Sequence, residues 1–413
     1  MMIKVNKNIL KILSIFIFTK FILIKEKIDN NQNLKISINL EKKKNNYFNL
    51  KEDIKDKTIF FKKINEYLRI CRNGTLLNHY YNKRILTPKI TAIIPVYNAN
   101  KTIITAVRSI QNQNMDEIEI ILVDDASTDN SIDIFNQLMS CDKRIKLIKN
   151  KKNKGTLYSR SIGAINANGK YIMTLDNDDL FIYGIFEKCY EEAEKNNIDI
   201  IEFSGLQICH NCSVDLKKIF IPHFLKFKKD GVVVRQPKLS TFDYIRTNVS
   251  FDFIDVFVWG KLIKTQIYQK ALKTLGNEIY EHNICLTEDK IFTFGLFKVA
   301  NSFKYIDIYG IIYIQNIESI CHTWTISKSK RILHDFFMLS IIFYKLTKST
   351  EEVQIVVDEL KKHFKNFSIN LDKKHKKLLI RLYNEISNNK NVNEIEKKKI
   401  INLMIENKDN LKY

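Results

Sequence analysis

Polar and acidic side chains gather at the ends of three apolar runs, ITAIIPVYN (Ile90–Asn98), IEIILVDDASTD (Ile118–Asp129) and KYIMTLDNDD (Lys170–Asp179). The last run ends in Asp176, Asp178 and Asp179. Clustered carboxylates are hard oxygen donors, suited to a divalent cation and the phosphates it carries. The second run supplies Asp124 and Asp125, and farther along the chain Thr287–Asp289 reads TED. A carboxylate such as Asp289 can take a proton from a hydroxyl held within hydrogen-bond reach. Glu288 competes for that role on the same grounds. Bland readings stand beside each. Asp124 and Asp125 serve equally well as turn residues, Asp179 as a helix cap, and Glu288 and Asp289 as acids in the first turn of a helix over IFTFGLF.

The elements that must position these groups follow from hydrophobic spacing. Each run is β-branched and apolar before it turns polar, the pattern of a buried parallel strand. Strands over Ile90–Pro95, Ile118–Val123, Ile145–Lys149 and Tyr171–Leu175 alternate with helices near Lys101–Gln113, Asn130–Cys141 and Thr156–Asn166. Thr128 and Asp129 are placed to cap the second helix. Such βαβα alternation implies an α/β fold, a mainly parallel sheet covered by helices on both faces. Ligands of open α/β sheets bind at the C-terminal strand edge, where these acids stand. The segment Asp199–Tyr313 is mixed with short β-rich pieces, and the Lys-rich stretch from Ser327 onward has helical spacing.

The chain has 413 residues, 45% hydrophobic and 27% charged, enough for a sizeable globular core. Its net charge of +21 comes from Lys spread along the whole sequence. Those residues do not gather around stacking aromatics, so nucleic acid is not an expected partner. The seven cysteines are scattered, and Cys209 and Cys212 form a lone CxxC without the second pair a zinc site needs. His210, His282 and His322 have no metal-like spacing. Arg160 reads either as a phosphate contact or as an exposed helix residue and is left unassigned. Trp259 reads as a ring that stacks on a sugar or as a core residue.

At the amino terminus, Ile9–Ile24 is an apolar stretch interrupted by Lys11 and Lys20 and flanked by lysines. It is shorter than the about 20 residues that span a bilayer. No small residues follow it for cleavage, which favours an uncleaved signal anchor over cleavage. An apolar helix packed on the fold or lying on a membrane surface is the alternative. The expected layout is this apolar segment over residues 1–28, a stem or helical linker over 29–88, a catalytic domain over 89–325 and a helical region over 326–413. The domain divides into a nucleotide half at 89–199 and an acceptor half at 200–325.

PVYN at Pro95–Asn98, VDDASTD at Val123–Asp129, the run from Asn153 to Asp179 and TED at Thr287–Asp289 resemble, in string and in order, the family 2 glycosyltransferases of GT-A fold. The resemblance is strong over Ile90–Asp199 and thinner to Ser319. It implies that Pro95 and Tyr97 line a nucleobase pocket and that Asp125 accepts a hydrogen bond from the base. It places Gly155 near the nucleotide, Asp176 at the ribose or metal shell, and Asp178 on Mg²⁺ or Mn²⁺. Asp289 would be the general base of an inverting transfer from a nucleotide-diphosphate sugar, UDP-sugar first, to a glycan, lipid or protein acceptor. Asn177 departs from the acidic triplet at a position where the family varies. Two other functions fit less well. A sugar-phosphate nucleotidyltransferase expects a Gly-rich loop that PVYNANKT lacks. A catalytically dead binding module would not need Asp125, Asp178 and Asp289 together.

Overall fold

The computed structural model describes residues 64–69, 71, 85–209, 233–235, 257–276, 278–281 and 288–315. The apolar amino terminus, the Lys-rich region after Ser327, Thr287, His210, His282 and His322 lie outside them. Among the described residues no helix is long and apolar enough to cross a membrane.

Among the described residues nine strands form one sheet: β1 (Ile90–Val96), β2 (Ile118–Asp124), β3 (Ile145–Lys149), β4 (Tyr171–Thr174), β5 (Leu180–Phe181), β6 (Ile200–Cys209), β7 (Val233–Arg235), β8 (Lys261–Lys264) and β9 (Ser302–Gln315). Their order is β3-β2-β1-β4-β8-β6-β9-β5, with β7 also paired to β9. The first four are parallel, as the βαβα spacing requires. Beyond β4 the sheet is mixed, because β8 runs antiparallel to both β4 and β6 while β6 and β9 are parallel. The register sets Val96 opposite Asp124 and Ile93 opposite Thr174. Strands β1 and β2 therefore end together, β4 stops short of them opposite Ile93, and the polar residues that follow lie toward one edge.

Among the described residues seven helices lie between these strands: α1 (Ile103–Gln111), α2 (Ser131–Cys141), α3 (Thr156–Ile165), α4 (Ile185–Asn196), α5 (Thr265–Leu275), α6 (Glu278–Glu281) and α7 (Glu288–Val299). Strand alternation divides the core into two layers. Ile94, Leu122 and Met173 face one way and pack with Val107 of α1, Phe135 of α2 and Phe186 of α4. Ile93, Val123 and Ile172 face the other way and pack with Leu157 of α3, Leu272 of α5 and Phe292 of α7. Both faces are thus covered, which explains why β1, β2 and β4 are mainly apolar and not alternating, with the buried Thr91 hydroxyl donating to Glu119 at 2.6 Å.

Residues 64–69, within the stretch read as a linker, are helical. Ile64, Tyr67, Leu68 and Cys71 pack on Leu180 and Ile312, and Tyr67 donates a hydrogen bond to the Phe181 carbonyl at 2.5 Å. Helix α2 begins one turn residue later than its expected start. Its cap position, Asn130, makes no side-chain cap bond, while Asp129 accepts from the Ser131 amide at 3.0 Å.

Helix α3 lies directly against β1 and β2, and Gly163 makes that approach possible. A Cβ at Gly163 would sit 2.5 Å from Ile93 Cγ2. Gly163→Ala gains up to about 1 kcal/mol of helix propensity but overpacks the contact at a cost of about 1–3 kcal/mol. The net expectation is a lower urea midpoint for Gly163→Ala, and a midpoint equal to or above that of the wild type would contradict the packing.

Candidate active site

The loops after β1 and β2 hold each other in place. Asn98 takes a left-handed backbone (φ 51°), and its side-chain oxygen accepts from the Thr128 amide at 2.8 Å. In return the Asn98 amide donates to Ser127 Oγ at 3.0 Å, and the Asn100 amide donates to Asp129 at 3.1 Å. Pro95 is buried in β1, which stays buried to its last residue, Val96, and Tyr97 beyond it is 47% exposed. An exposed aromatic ring at a strand end is free to stack on a planar ligand.

Asp124 and Asp125 divide between two jobs. Asp124 accepts from the Ser127 amide at 3.2 Å, the turn role foreseen for it. Asp125 is buried and reaches sideways to the loop after β3. It accepts from Asn150 Nδ2 at 2.8 Å, the Lys154 amide at 2.9 Å and the Gly155 amide at 2.8 Å. Two of the three bonds are on Oδ1, so Oδ2 retains capacity for one more donor. Gly155 has φ 88°, a backbone that a side chain would strain, and it opens α3. Ala126, at φ 62°, carries such strain without being glycine.

The DNDD turn sits at the end of β4. Asp176, Asn177 and Asp178 are partly exposed, and Asp179 is fully buried. Asn177 bridges to the first strand end through contacts of 3.4 Å with the Pro95 carbonyl and Thr102 Oγ1. Asp179 does not cap a helix: α4 is preceded by Gly184, and Asp179 Oδ1 accepts from the Ile314 amide of β9 at 2.8 Å. Burial and the charges of Asp178 and Asp176 push Asp179 well above the ordinary carboxylate range. Its Oδ2 meets no described partner, which fits a carboxyl that keeps its proton.

Asp289 reaches this edge from α7 through Arg160, a residue the sequence left unassigned. The Arg160 side chain is 3% exposed. Nη2 donates to Asp176 at 2.6 Å and Nη1 donates to Asp289 at 2.7 Å, while Glu288 stands 4.0 Å from Nη1. Both helix-start acids of α7 therefore do double duty, one at the helix terminus and one at the guanidinium. Burial raises Glu288 well above the ordinary carboxylate range and raises Asp289 as well, with Arg160 opposing both. The three carboxylates in turn hold Arg160 firmly protonated. The signal for Arg160 was a lone charge among the buried residues Leu157, Ser161 and Ala164 of α3.

Beside this cluster, Trp259 is half-buried between two rings, Phe257 at 4.8 Å and 16° and Tyr313 at 6.2 Å and 14°. The buried Lys261 Nζ donates to the Phe257 carbonyl and lies 3.8 Å from Glu202. Among the described residues no three His, Cys, Asp or Glu side chains are grouped to hold a metal by themselves. Mg²⁺ and Mn²⁺ need only one or two protein carboxylates when phosphates and water complete the shell. Asp178 at a partly exposed strand end fits that kind of site.

Residues 91–250 match the model of glycosyl transferase family 2. Over that span the sequence is similar to the family 2 glycosyltransferases. The domain is similar to an uncharacterized glycosyltransferase, EpsJ, of Bacillus subtilis, with 28% identity over 57% of this chain and 63% of that one. It is 44% identical to an uncharacterized glycosyltransferase of Haemophilus influenzae over 24% of this chain and 40% of that one. A cholesterol galactosyltransferase of Borreliella burgdorferi is 27% identical over 60% of this chain and 64% of its own. The chain spans less than two thirds of the length of these relatives. Among solved structures, S. aureus TarS 1-349 in complex with UDP aligns at TM-score 0.55 and 17% identity, covering 78% of this chain and 89% of that one. That likeness establishes the GT-A fold for the domain.

The bonds at Asp125 make a direct test of how the edge is built. Asp125→Ala strands two backbone amides, at a cost of about 1–3 kcal/mol. Its urea midpoint should fall while that of Tyr97→Ala, an exposed ring, stays at the wild-type value. Equal midpoints for Asp125→Ala and wild type would show that the loop after β3 does not depend on this carboxylate.

Proposed function

We propose that the domain transfers a hexose from a nucleotide-diphosphate sugar, UDP-linked, to an acceptor hydroxyl with inversion at the anomeric carbon. The observation that carries this reading is the meeting of three strand ends with the first turn of α7, joined at Arg160. Binding groups and a base thus share one edge although 129 residues separate Arg160 from Asp289. TarS structures bound to UDP and to UDP-GlcNAc place such donors on the same fold in that protein.

In this reading Pro95 and the Tyr97 ring receive the nucleobase. The remaining capacity of Asp125 Oδ2 accepts a pyrimidine N–H. Gly155 lets the backbone approach the nucleotide without a side chain in the way. Asp176 holds the donor near the ribose, and Asp178 holds Mg²⁺ or Mn²⁺. When bound, the cation neutralises the charge that grows on the diphosphate leaving group. Asp289 accepts the proton of the acceptor hydroxyl as that oxygen attacks the anomeric carbon from the face opposite the diphosphate. Glu288 is the weaker candidate, since it sits farther from Arg160 and burial favours its protonated form. Trp259 and its flanking rings offer an apolar surface for the acceptor.

The test is UDP release from UDP-glucose, UDP-galactose and UDP-GlcNAc in the presence of Mn²⁺. Asp178→Ala and Asp289→Asn should each lower turnover by about 10²-fold or more, the range of one positioned base or charge-stabilising group. Asp289→Asn should still bind UDP as tightly as wild type. Equal turnover in the three proteins would remove both roles.

A further inference from the structure

We infer that Arg160 is a positioning residue, whose guanidinium orients Asp289 toward the donor carboxylate Asp176 and keeps it in the proton-accepting form. The inference rests on the transferase reading above and goes beyond it, because it assigns a task to a residue on the far side of the base.

Geometry carries the argument. Arg160 is nearly inaccessible, while the Asp176 and Asp289 side chains are 31% and 21% exposed. The cation is therefore behind and the two anions are in front. Each anion gives Arg160 only Oδ1, so the second oxygen of each remains for a substrate. The guanidinium is a rigid fork, so fixing Nη2 on Asp176 also fixes where Nη1 presents Asp289. Arg160 Nε has no partner among the described residues, so the two carboxylates provide the polar contacts that hold the group. Gly155 and Gly163 set the helix that carries it, one by its backbone and one by its close packing on Ile93.

Electrostatics gives the second half of the task. Asp289 faces Arg160 of α3, Asp176 after β4, Glu288 of its own helix, Lys261 of β8 and Tyr268 of α5. Burial and the neighbouring acids favour a protonated Asp289, a form that accepts no proton from a hydroxyl. Arg160, in contact at 2.7 Å, opposes them most directly. Lys261 also opposes them, but it lies against Glu202 and the Phe257 carbonyl.

The test is the pH dependence of UDP release at saturating donor, followed from about pH 5 to about pH 9 with the same three UDP-sugars and Mn²⁺. A base works only when deprotonated, so turnover falls as pH drops through the Asp289 pKa. Arg160→Gln removes a positive charge, and the acid limb should move up by about one pH unit or more, with activity partly restored at high pH. Asp176→Asn removes a negative charge, and the limb should move down. Arg160→Lys keeps the charge but not the fork, so its limb should stay near that of wild type while kcat falls.

A scaffold role would instead scale turnover equally at every pH, and that result for Arg160→Gln would overturn the inference. If Arg160→Gln does not fold, the Asp176→Asn and Arg160→Lys limbs decide, and an unmoved Asp176→Asn limb overturns it. Failure of the underlying reading looks different. Asp289→Asn would then turn over like wild type, or wild type would release no UDP from any donor.

Discussion

A buried guanidinium has to be neutralised where it stands, because an unpaired interior charge costs several kcal/mol. Arg160 meets that demand with carboxylates from two distant parts of the chain, Asp176 after β4 and Asp289 at the start of α7. The pairing pins the first turn of α7 to the end of the parallel sheet. Without it, the carboxylates of α7 would have no reason to lie at the same edge as the DNDD turn. Asp289 has Arg160 as a polar side-chain partner, while apolar contacts such as Phe292 against Tyr268 at 4.2 Å hold the rest of the helix.

Around that pair the edge is held by loops that bond to each other as well as within themselves. Asn98 ties the first strand end to the second, Asp125 ties the second to the third, and Asn177 ties the fourth back to the first. Each tie uses a short polar side chain at or near a left-handed or turning backbone. This explains why the polar residues follow the apolar runs without a spacer. Asp179 extends the same lacing inward to β9, where burial and the neighbouring acids favour the protonated carboxyl. An acidic cluster of this kind therefore holds two populations, partly exposed acids at the edge and one that serves as a buried fastener.

Much of the fold could be read from β-branched runs closing on polar residues, because a strand buried on both faces has few polar positions to blur its pattern. The parallel order of β1 to β4 follows from the intervening helices for the same reason. The second half of the sheet was less legible. Strands β6 and β9 pair across about a hundred residues with shifts near Glu202 and Ser204, and no local spacing announces such a partner. Asp125 was legible as a strand-end acid, but its three internal hydrogen bonds depend on a loop whose course only the fold determines. Arg160 was the clearest gap. A single arginine on a helix is usually solvated, and only the burial of Leu157, Ser161 and Ala164 around it shows that its face is turned inward.

The central claim is that one sheet edge binds a UDP-sugar with its base pocket at Tyr97 and Asp125 and with Asp289 poised across from the diphosphate. A crystal structure of the full chain with UDP and Mn²⁺ tests it most directly. The account predicts uracil against the Tyr97 ring with its N–H on Asp125, the cation on Asp178, and the Arg160 bridge to Asp289 retained. A nucleotide bound away from these strand ends, or a cation held by other residues, would contradict it.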